Sequence, residues 1–372
     1  MQFLIDTIAQ VQWQQVVMWI IGGILIFLAI KKGMEPALLL PMGFGAILVN
    51  IPNSAVIGEG GIIQSLFEVG IDASEAMPIL LFIGIGAMID FGPLLANPKM
   101  FILGGAAQFG IFITLILATL IGFSPANAAS IAIIGAADGP TAILVAAELA
   151  SEYLGPIMVV AYSYMALVPI VQPTVVKLCT TKKERRIKMH YSARQVNKLT
   201  RILFPVIVTV VAGLIAPASL SLVGMLMFGN LIRECGVLGS LSDTAQNAFS
   251  NIITLLLGIT IAFQMQADQF VQWETLMIMA LGLFAFVFDT VGGVMCAKVM
   301  NLFSKNKINP MVGAAGISAF PMSARVIEKM GIQEDPSNHL LMHAVGANVS
   351  GQIASATIGG LIIGLVKALV VI

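Results

Sequence analysis

Long apolar stretches recur from one end of the chain to the other, and they constrain its fold more than any other feature. Seven of them approach the thickness of a bilayer, at residues 16–30, 100–121, 156–177, 202–216, 248–263, 275–300 and 339–371. Only 10% of the 372 residues are charged, whereas soluble domains are nearer a quarter charged. The sequence therefore predicts an all-α, multi-pass membrane protein without a large soluble domain, and we expect about nine to twelve membrane segments.

One strongly charged stretch, TKKERRIKMHYSARQVNKLTR at residues 181–201, carries eight Lys and Arg against one Glu. The positive-inside rule places this basic loop on the cytoplasmic side. It either sets the topology alone or also serves as a docking patch for a soluble partner. Lys31 and Lys32 should be inside by the same rule, but an odd number of crossings between them and the basic loop would put one of the two sites outside. The candidates for a re-entrant segment are residues 126–149 and 309–328.

The two halves of the chain on either side of the basic loop look like copies. PALLLPMG at 36–43 matches PASLSLVG at 217–224, and Pro140 in GAADGPTA matches Pro321 in GISAFPMS, with the same offset of 181 residues. Transporters built from inverted repeats bind ions near the bilayer midplane, on helices interrupted by Gly or Pro. We therefore predict one membrane domain of two inverted repeats, with broken or re-entrant helices at a central ion site. Its parts are residues 1–180, the basic loop at 181–201, and residues 202–372.

Asp138 is the most unusual residue of the first repeat, because it lies between two apolar runs, IAIIGAA and GPTAILVAA. An ionised carboxylate at membrane depth costs at least ~2.5 kcal/mol without partners, so it is a functional candidate. Gly139 and Pro140 break the helix and free backbone carbonyls, and Thr141 adds a hydroxyl. These hard oxygen ligands suit an alkali cation. The alternative is a buried Asp that caps a half-helix starting at Pro140.

The matching element of the second repeat, INPMVGAAGISAFPMSARVIEK at 308–329, has the same broken-helix character. It carries a cation, Arg325, where the first repeat carries an anion. Arg325 either pairs with Asp138, holds the carboxylate of an incoming substrate, or extends to the cytoplasmic interface. The small and polar residues that precede it are Asn309, Gly313, Ser318 and Pro321.

Two tyrosines, Tyr162 and Tyr164, bring hydroxyls into the apolar stretch that follows the DGPT segment. Because they are two residues apart, they lie on different faces of a helix, and at most one faces the Asp138 site. A phenol beside an ion site can relay a proton or ligate the ion, and a structural hydrogen bond is equally common.

Further polar residues occur in the late apolar stretches. Asp289 is a second intramembrane acid, opposite Gln108 under the 181-residue offset, and it is either a second ion ligand or a packed carboxylate. The sequence GANVSGQIAS at 346–355 reads as another polar interruption near the site. Its polar residues include Asn348, Ser350 and Gln352.

Several classes of function lack their sequence motifs. There is no Walker A sequence, no GxGxxG after a strand, no GxSxG and no lysine in a biotin-acceptor setting, so neither ATP-driven pumping nor a covalent cofactor on this chain is expected. His339 and His343 lie one helical turn apart without a third ligand, and we predict no transition-metal site. A net charge of +0 argues against a nucleic-acid partner. The energy must come from a gradient, as in a sodium-coupled secondary transporter or a Na+/H+ exchanger, or from the chemistry of a partner subunit.

Three segments together resemble a known family. GAADGPTAI at 135–143, Tyr164, and NPMVGAAGISAFPMSARV at 309–326 are similar to the β subunit of the sodium-pumping biotin-dependent decarboxylases, which act on oxaloacetate, methylmalonyl-CoA or glutaconyl-CoA. The resemblance covers nearly the whole chain. It implies a translocase of the prokaryotic cytoplasmic membrane that decarboxylates carboxybiotin, exports Na+ and consumes a proton.

The resemblance also implies partners and residue roles. A carboxyltransferase subunit loads biotin on a carrier subunit, which presents carboxybiotin in trans, and a small accessory membrane subunit and further β subunits complete an oligomer in the lipid bilayer. The residues expected to bind sodium are Asp138, Thr141, Asn309, Gly313 and Ser318. The residues expected to act in catalysis are Arg325, Tyr164 and Ser318. Asn348, Ser350, Asp289 and Tyr162 are the secondary candidates.

Overall fold

A computed structural model describes residues 9–189 and 196–370, and residues 190–195 of the basic loop lie outside the described part. Within the described residues the chain forms helices and no strand, as the sequence predicts. The helices are α1 (Trp13–Lys32), α2 (Pro36–Val49), α3 (Ile62–Phe67), α4 (Ala76–Met88), α5 (Gly92–Ala96), α6 (Met100–Ala106), α7 (Phe109–Ile121), α8 (Pro125–Ala132), α9 (Gly139–Glu148), α10 (Leu154–Cys179), α11 (Lys182–Arg185), α12 (Lys198–Ile215), α13 (Leu220–Glu234), α14 (Gly239–Thr244), α15 (Ser250–Ile261), α16 (Ala267–Phe270), α17 (Trp273–Phe303), α18 (Pro310–Ala314), α19 (Met322–Glu334) and α20 (Leu341–Val370). Short π or 3-10 turns lie at Glu68–Asp72, Ile133–Ala136, Pro217–Ser219, Ala245–Phe249 and Ala262–Met265.

Helices with the length and composition of membrane spans coincide with the seven apolar stretches. Among the described residues they are Trp13–Lys32, Met100–Ile121, Leu154–Cys179, Lys198–Ile215, Gly239–Met265, Trp273–Phe303 and Leu341–Leu369. An eighth span results if Ile62–Asp72 and Ala76–Met88, which meet at 68°, are one bent segment. The predicted nine to twelve segments exceed this count, because other apolar segments, such as Pro36–Val49 and Pro125–Ala136, are too short to cross by themselves.

The two elements predicted to be broken are both interrupted and both lie in the interior. In the first, α8 and a 3-10 turn end at Ala136, and α9 begins at Gly139; every residue from 127 to 146 is buried. In the second, residues 315–321 separate the five-residue α18 from α19, and residues 308–319 are all buried. The breaks meet where the backbone N–H of Ser318 donates to the carbonyl of Ala136, at 3.0 Å. The two repeats and their inversion stay predictions.

The start of the basic loop is fastened to the second broken element. The side-chain nitrogen of Asn309 donates to the carbonyls of Arg185 and Ile187, at 2.8 and 2.9 Å, and its side-chain oxygen caps α18. Arg185 is buried and pairs with Glu334 at the end of α19, at 2.5 Å. The loop and the second broken element therefore form one structural unit.

We expect Glu334→Gln to lower the free energy of unfolding by about 3 kcal/mol, because it leaves the buried Arg185 guanidinium without its counter-charge. The side chains of this pair are 8% and 16% exposed. The matched control is Glu148→Gln, which breaks a pair with Lys367 whose side chains are 39% and 52% exposed and which should cost less than ~1 kcal/mol. Thermal unfolding in detergent measures both, and equal small losses would contradict the structural role of Arg185.

Candidate functional site

The first break places Asp138 at the junction of two helical segments. Ala137 adopts a left-handed conformation, with φ of 51°, which is costly for a residue with a side chain and ends the preceding 3-10 turn. Asp138 is extended and occupies the N-cap position of α9, and Pro140 lies in the first turn, where its missing N–H costs no helical hydrogen bond. The sequence thus folds into a kink whose central residue is the carboxylate.

The Asp138 carboxylate is held by neutral polar side chains. Its Oδ2 accepts hydrogen bonds from Thr141 Oγ1 at 2.7 Å, Ser355 Oγ at 2.9 Å and Gln352 Nε2 at 3.0 Å. All four residues are buried, and Asp138 is 2% exposed. Arg325 is exposed and is not an ion-pair partner of Asp138 among the described residues, so that predicted alternative is wrong. A desolvated carboxylate with hydroxyl and amide neighbours can exchange a proton for a small cation.

One face of α20 supplies part of this site and joins it to the second break. Asn348, Gln352 and Ser355 are spaced by four and three residues, so they lie on the same side of the helix. Asn348 Nδ2 donates to the carbonyl of Ile317 at 2.6 Å, while Gln352 and Ser355 reach Asp138. Ser350 lies on another face and donates to the carbonyl of Phe101 at 3.1 Å. The polar stretch does not break the helix, which is continuous.

The two tyrosines of α10 are placed differently. The ring of Tyr162 packs against Gly139, since a Cβ on that glycine would lie 2.4 Å from Cζ of the ring. Its buried hydroxyl has no hydrogen-bond partner among the described residues. Tyr164 donates to the backbone carbonyl of Met279 on α17 and lines an apolar cavity of about 540 Å³. Tyr162 therefore lies beside the kink, whereas the hydroxyl of Tyr164 is directed at α17.

We expect Gly139→Ala to lower the sodium-dependent decarboxylation implied by the sequence resemblance about 100-fold, because the added methyl group must displace the Tyr162 ring or the kink that positions Asp138. The matched control is Gly364→Ala, at a helical glycine where a Cβ would meet no atom within 4 Å. Rates in reconstituted membranes are compared at equal protein content. Equal activity of the two variants would show that the close fit between Gly139 and Tyr162 does not matter.

Asp289 is a fully buried residue of α17 that faces the first turn of α7. Its Oδ1 accepts the backbone N–H groups of Gly110 and Ile111, the latter at 3.2 Å. Its Oδ2 faces Gly135, three residues before Asp138, and has no hydrogen-bond partner among the described residues. Asp289 thus acts as a helix cap and lies next to the first break without joining the hydrogen bonds of Asp138. Its role as a second ion ligand stays a prediction.

The remaining predicted residues of the second repeat are spread along its broken element. Ser318 is at the break, where its hydroxyl donates to the carbonyl of Gly351 at 3.0 Å. Gly313 packs closely against Gly293 of α17, since a Cβ on Gly313 would lie 2.0 Å from the carbonyl oxygen of Gly293. Asn309 is at the loop end of the element, as described above. The structure therefore brings Ser318 to the first break but leaves Asn309 and Gly313 in capping and packing contacts.

Arg325 lies on the exposed side of α19 and faces an acid from the first half of the chain. Burial raises the pKa of Glu35, at the N-terminus of α2, and the positive charge of Arg325 opposes that shift. No carboxylate lies within 4 Å of Arg325 among the described residues. Its guanidinium donors are therefore accessible to an anion that approaches from outside.

Two residues near the site were missed by sequence reasoning. Ser355 is the last residue of the polar stretch GANVSGQIAS, and its contact with Asp138 was not predicted. The signal that could have identified it is its helical spacing of three residues from Gln352. Glu35 gives no local signal, because its proximity to Arg325 depends on contacts between distant segments. In the described part of the chain, no group of three His, Cys, Asp or Glu is arranged to hold a metal ion. His339 Nδ1 lies 2.9 Å from a carboxylate oxygen of Glu328.

Fold and site together define a multi-pass helical membrane protein with a buried carboxylate between two broken helices, an arrangement found in ion-coupled membrane proteins. The chain belongs to the family of the Na+-transporting oxaloacetate decarboxylase beta subunit, whose sequence model matches residues 14–366. It is 47% identical to the methylmalonyl-CoA decarboxylase subunit beta of Propionigenium modestum, over 94% of each chain. It is also 47% identical to the glutaconyl-CoA decarboxylase subunit beta of Acidaminococcus fermentans, over 95% of this chain and 94% of the relative.

A further relative is the probable oxaloacetate decarboxylase beta chain of Vibrio cholerae, 43% identical over 95% of each chain. The family confirms the resemblance seen in the sequence. The chain is a membrane subunit of a sodium-translocating decarboxylase in the bacterial cell membrane, and not a secondary carrier without enzymatic activity.

Proposed function

We propose that this chain decarboxylates carboxybiotin delivered by a biotin carrier subunit and that Asp138 couples this step to Na+ export. The observation that carries the proposal is the buried Asp138 carboxylate, with two hydroxyls and an amide gathered on one oxygen at a kink between two helices. Such a group binds either a proton or a small hard cation. Exchanging a proton for Na+ leaves the net charge of the site unchanged and breaks no covalent bond other than the O–H bond.

The two ligands of Asp138 compete in this proposal. With a proton bound, the carboxyl group is neutral and suits its buried surroundings. When Na+ replaces the proton, the hydroxyls of Thr141 and Ser355 rotate and present lone pairs to the cation. Na+ would reach Asp138 from the side of the basic loop. The predicted ligands along this path are Asn309, Gly313 and Ser318. Na+ binding then releases one proton from Asp138.

The chemical step uses that proton. When carboxybiotin loses CO2, the bond between nitrogen and the carboxyl carbon breaks, its electron pair stays on nitrogen, and the nitrogen takes up a proton. Arg325 is suited to hold the carboxylate before the bond breaks, because its planar fork of donors matches a carboxylate. Tyr164 and Ser318 are the proposed groups for passing the proton. Moving one charge against 100 mV costs about 2.3 kcal/mol, and the escape of CO2 makes the cycle irreversible.

The proposed partners follow from this division of labour. A carboxyltransferase subunit would load the biotin, a carrier subunit would bring it to Arg325, and a small accessory membrane subunit would hold the complex together. Further copies of this chain would complete the assembly. Na+ is the transported cargo, and biotin is covalently attached to the carrier rather than to this chain.

The proposal is tested with inverted membrane vesicles that contain the whole complex. Oxaloacetate, methylmalonyl-CoA and glutaconyl-CoA are added separately, and uptake of radioactive Na+ is recorded with and without avidin, which sequesters biotin. We expect uptake with at least one acid, abolished by avidin. Uptake that is unaffected by avidin, or exchange of Na+ by this chain alone at the same rate, would contradict the role of carboxybiotin.

A further inference from the structure

A basic cleft lies beside the end of α17, next to the start of the basic loop. Two neighbouring cavities of about 520 and 610 Å³ form this cleft, and both are lined by Ile187 and Lys307. Among the described residues, Glu184 is the only acid in the walls of either cavity. The cations in the walls are Lys99, Lys183, Arg186, Lys188, Lys298, Lys305 and Lys307.

Most of this positive charge is not neutralised by the protein. Lys298 pairs with Glu184 at 3.0 Å, and Lys188 pairs with Asp335 at 3.1 Å. In the described part of the chain, the other five cations of the basic cleft have no carboxylate within ion-pair distance. Like charges held close together without counter-charges repel one another, so the basic cleft favours an anion.

The loop that carries two of these cations is preformed. Asn301 donates to the carbonyl of Ile308 and accepts from its N–H, both at 2.7 Å, so a pair of hydrogen bonds closes the loop of six intervening residues, 302–307. Ser304 donates to the carbonyl of Asn306 at 2.8 Å within that loop. Lys307 donates to the carbonyl of Asn301. The backbone of this loop and the side chain of Lys307 are therefore held in place before any ligand binds, which lowers the entropy cost of binding.

An exposed apolar surface of α17 runs into the basic cleft. Met295, Val299, Leu302 and Phe303 are 47%, 50%, 77% and 86% exposed, and their spacing places them along one side of the helix. Leu302 also lines the larger cavity of the cleft. We call these four residues the apolar face of α17. A basic pocket at the end of a lipid-exposed helix face matches a molecule with an anionic head and an apolar tail.

We propose that the basic cleft binds the phosphate headgroup of an anionic phospholipid, whose acyl chains lie along the apolar face of α17. A free phosphate ion offers the same charge but makes no use of the exposed Leu302 and Phe303. An acidic soluble protein would also meet the cations, but it would have to cover apolar side chains that belong to a membrane span. The lipid assignment accounts for both the charge and the apolar surface.

The test uses the purified full chain in a neutral detergent and does not depend on decarboxylase activity. Dioleoylphosphatidylglycerol, dioleoylphosphatidylcholine or inorganic phosphate is titrated, and bound lipid is counted by native mass spectrometry. We expect the anionic lipid to bind and the zwitterionic lipid and phosphate not to bind at the same concentrations. The triple variant Lys99→Gln, Lys183→Gln, Lys305→Gln should bind the anionic lipid on the order of a hundredfold more weakly. The three lysines contribute about equally to the affinity for an anionic headgroup, and their three factors multiply to this total.

A control variant removes the same amount of charge elsewhere. Lys198→Gln, Lys329→Gln, Lys367→Gln should bind the anionic lipid like the original chain, since none of these lysines lines the basic cleft. Equal weakening in both triple variants, equal binding of the zwitterionic lipid, or binding of phosphate alone would overturn the proposal. So would displacement of the anionic lipid by the biotin carrier subunit at the basic cleft, which would assign the cleft to a protein partner.

Discussion

Replacing Asp138 by asparagine should lower sodium-dependent decarboxylation at least about 100-fold while the fold persists. The amide has nearly the same shape as the carboxylate, and the hydroxyls of Thr141 and Ser355 can rotate to accept from it. It cannot carry the negative charge that a buried cation requires. Removing one partner of a buried charge pair costs about 3–5 kcal/mol, which corresponds to that loss of rate.

The assay is the rate of CO2 release by the reconstituted complex as a function of Na+ concentration. Asp268→Asn is the control, because Asp268 is exposed on α16, away from the kink at Asp138. It should retain the original rate and the original dependence on Na+. Sodium-stimulated turnover near the original value in Asp138→Asn would contradict the assigned role.

The second large effect is expected for Arg325→Ala, which should lower decarboxylation of carboxybiotin about 100-fold and leave Na+ binding unchanged. The variant removes two charge-assisted hydrogen bonds to the substrate carboxylate, each of which contributes about 1.5–3 kcal/mol. Arg325→Lys keeps the charge but loses the planar fork of donors. Its rate of decarboxylation should therefore fall between those of the original chain and Arg325→Ala. Na+ binding is measured in parallel on the purified chain.

Lys329→Ala is the control for Arg325, because Lys329 is an exposed cation one turn further along α19. It should decarboxylate at the original rate. If Arg325→Ala loses Na+ binding as well as turnover, the residue acts on the ion site or the fold rather than on the substrate. If it loses neither, Arg325 is only an interfacial cation.

Much of the fold follows from the sequence because each membrane span must satisfy its own backbone hydrogen bonds. The seven apolar stretches predict the seven long helices directly, since hydropathy alone decides whether a segment is stable in lipid. The breaks beside Pro140 and Pro321 are only partly local, because proline is disfavoured in a helix interior. Pro169 and Pro173 nevertheless lie within the continuous α10. That both breaks are buried and in contact agrees with the expectation of a paired interruption.

The partners of Asp138 could be predicted only in part. Thr141 is three residues away and follows from the local sequence, whereas Gln352 and Ser355 come from a helix more than 200 residues later. Their contact depends on how α20 packs against α9, which no local pattern encodes. For the same reason the spacing of Tyr162 and Tyr164 shows that they face different ways but does not show which one packs on Gly139.

The most direct test of the role of Asp138 measures proton release when Na+ binds. Na+ is titrated into the purified chain in weakly buffered detergent solution, with and without Asp138→Asn, and the released protons are recorded. We expect a saturable release of about one proton per chain from the original protein and none from the variant, because a single carboxyl group exchanges its proton for Na+. Equal proton release from both proteins, or Na+ binding by the variant with unchanged affinity, would contradict that role.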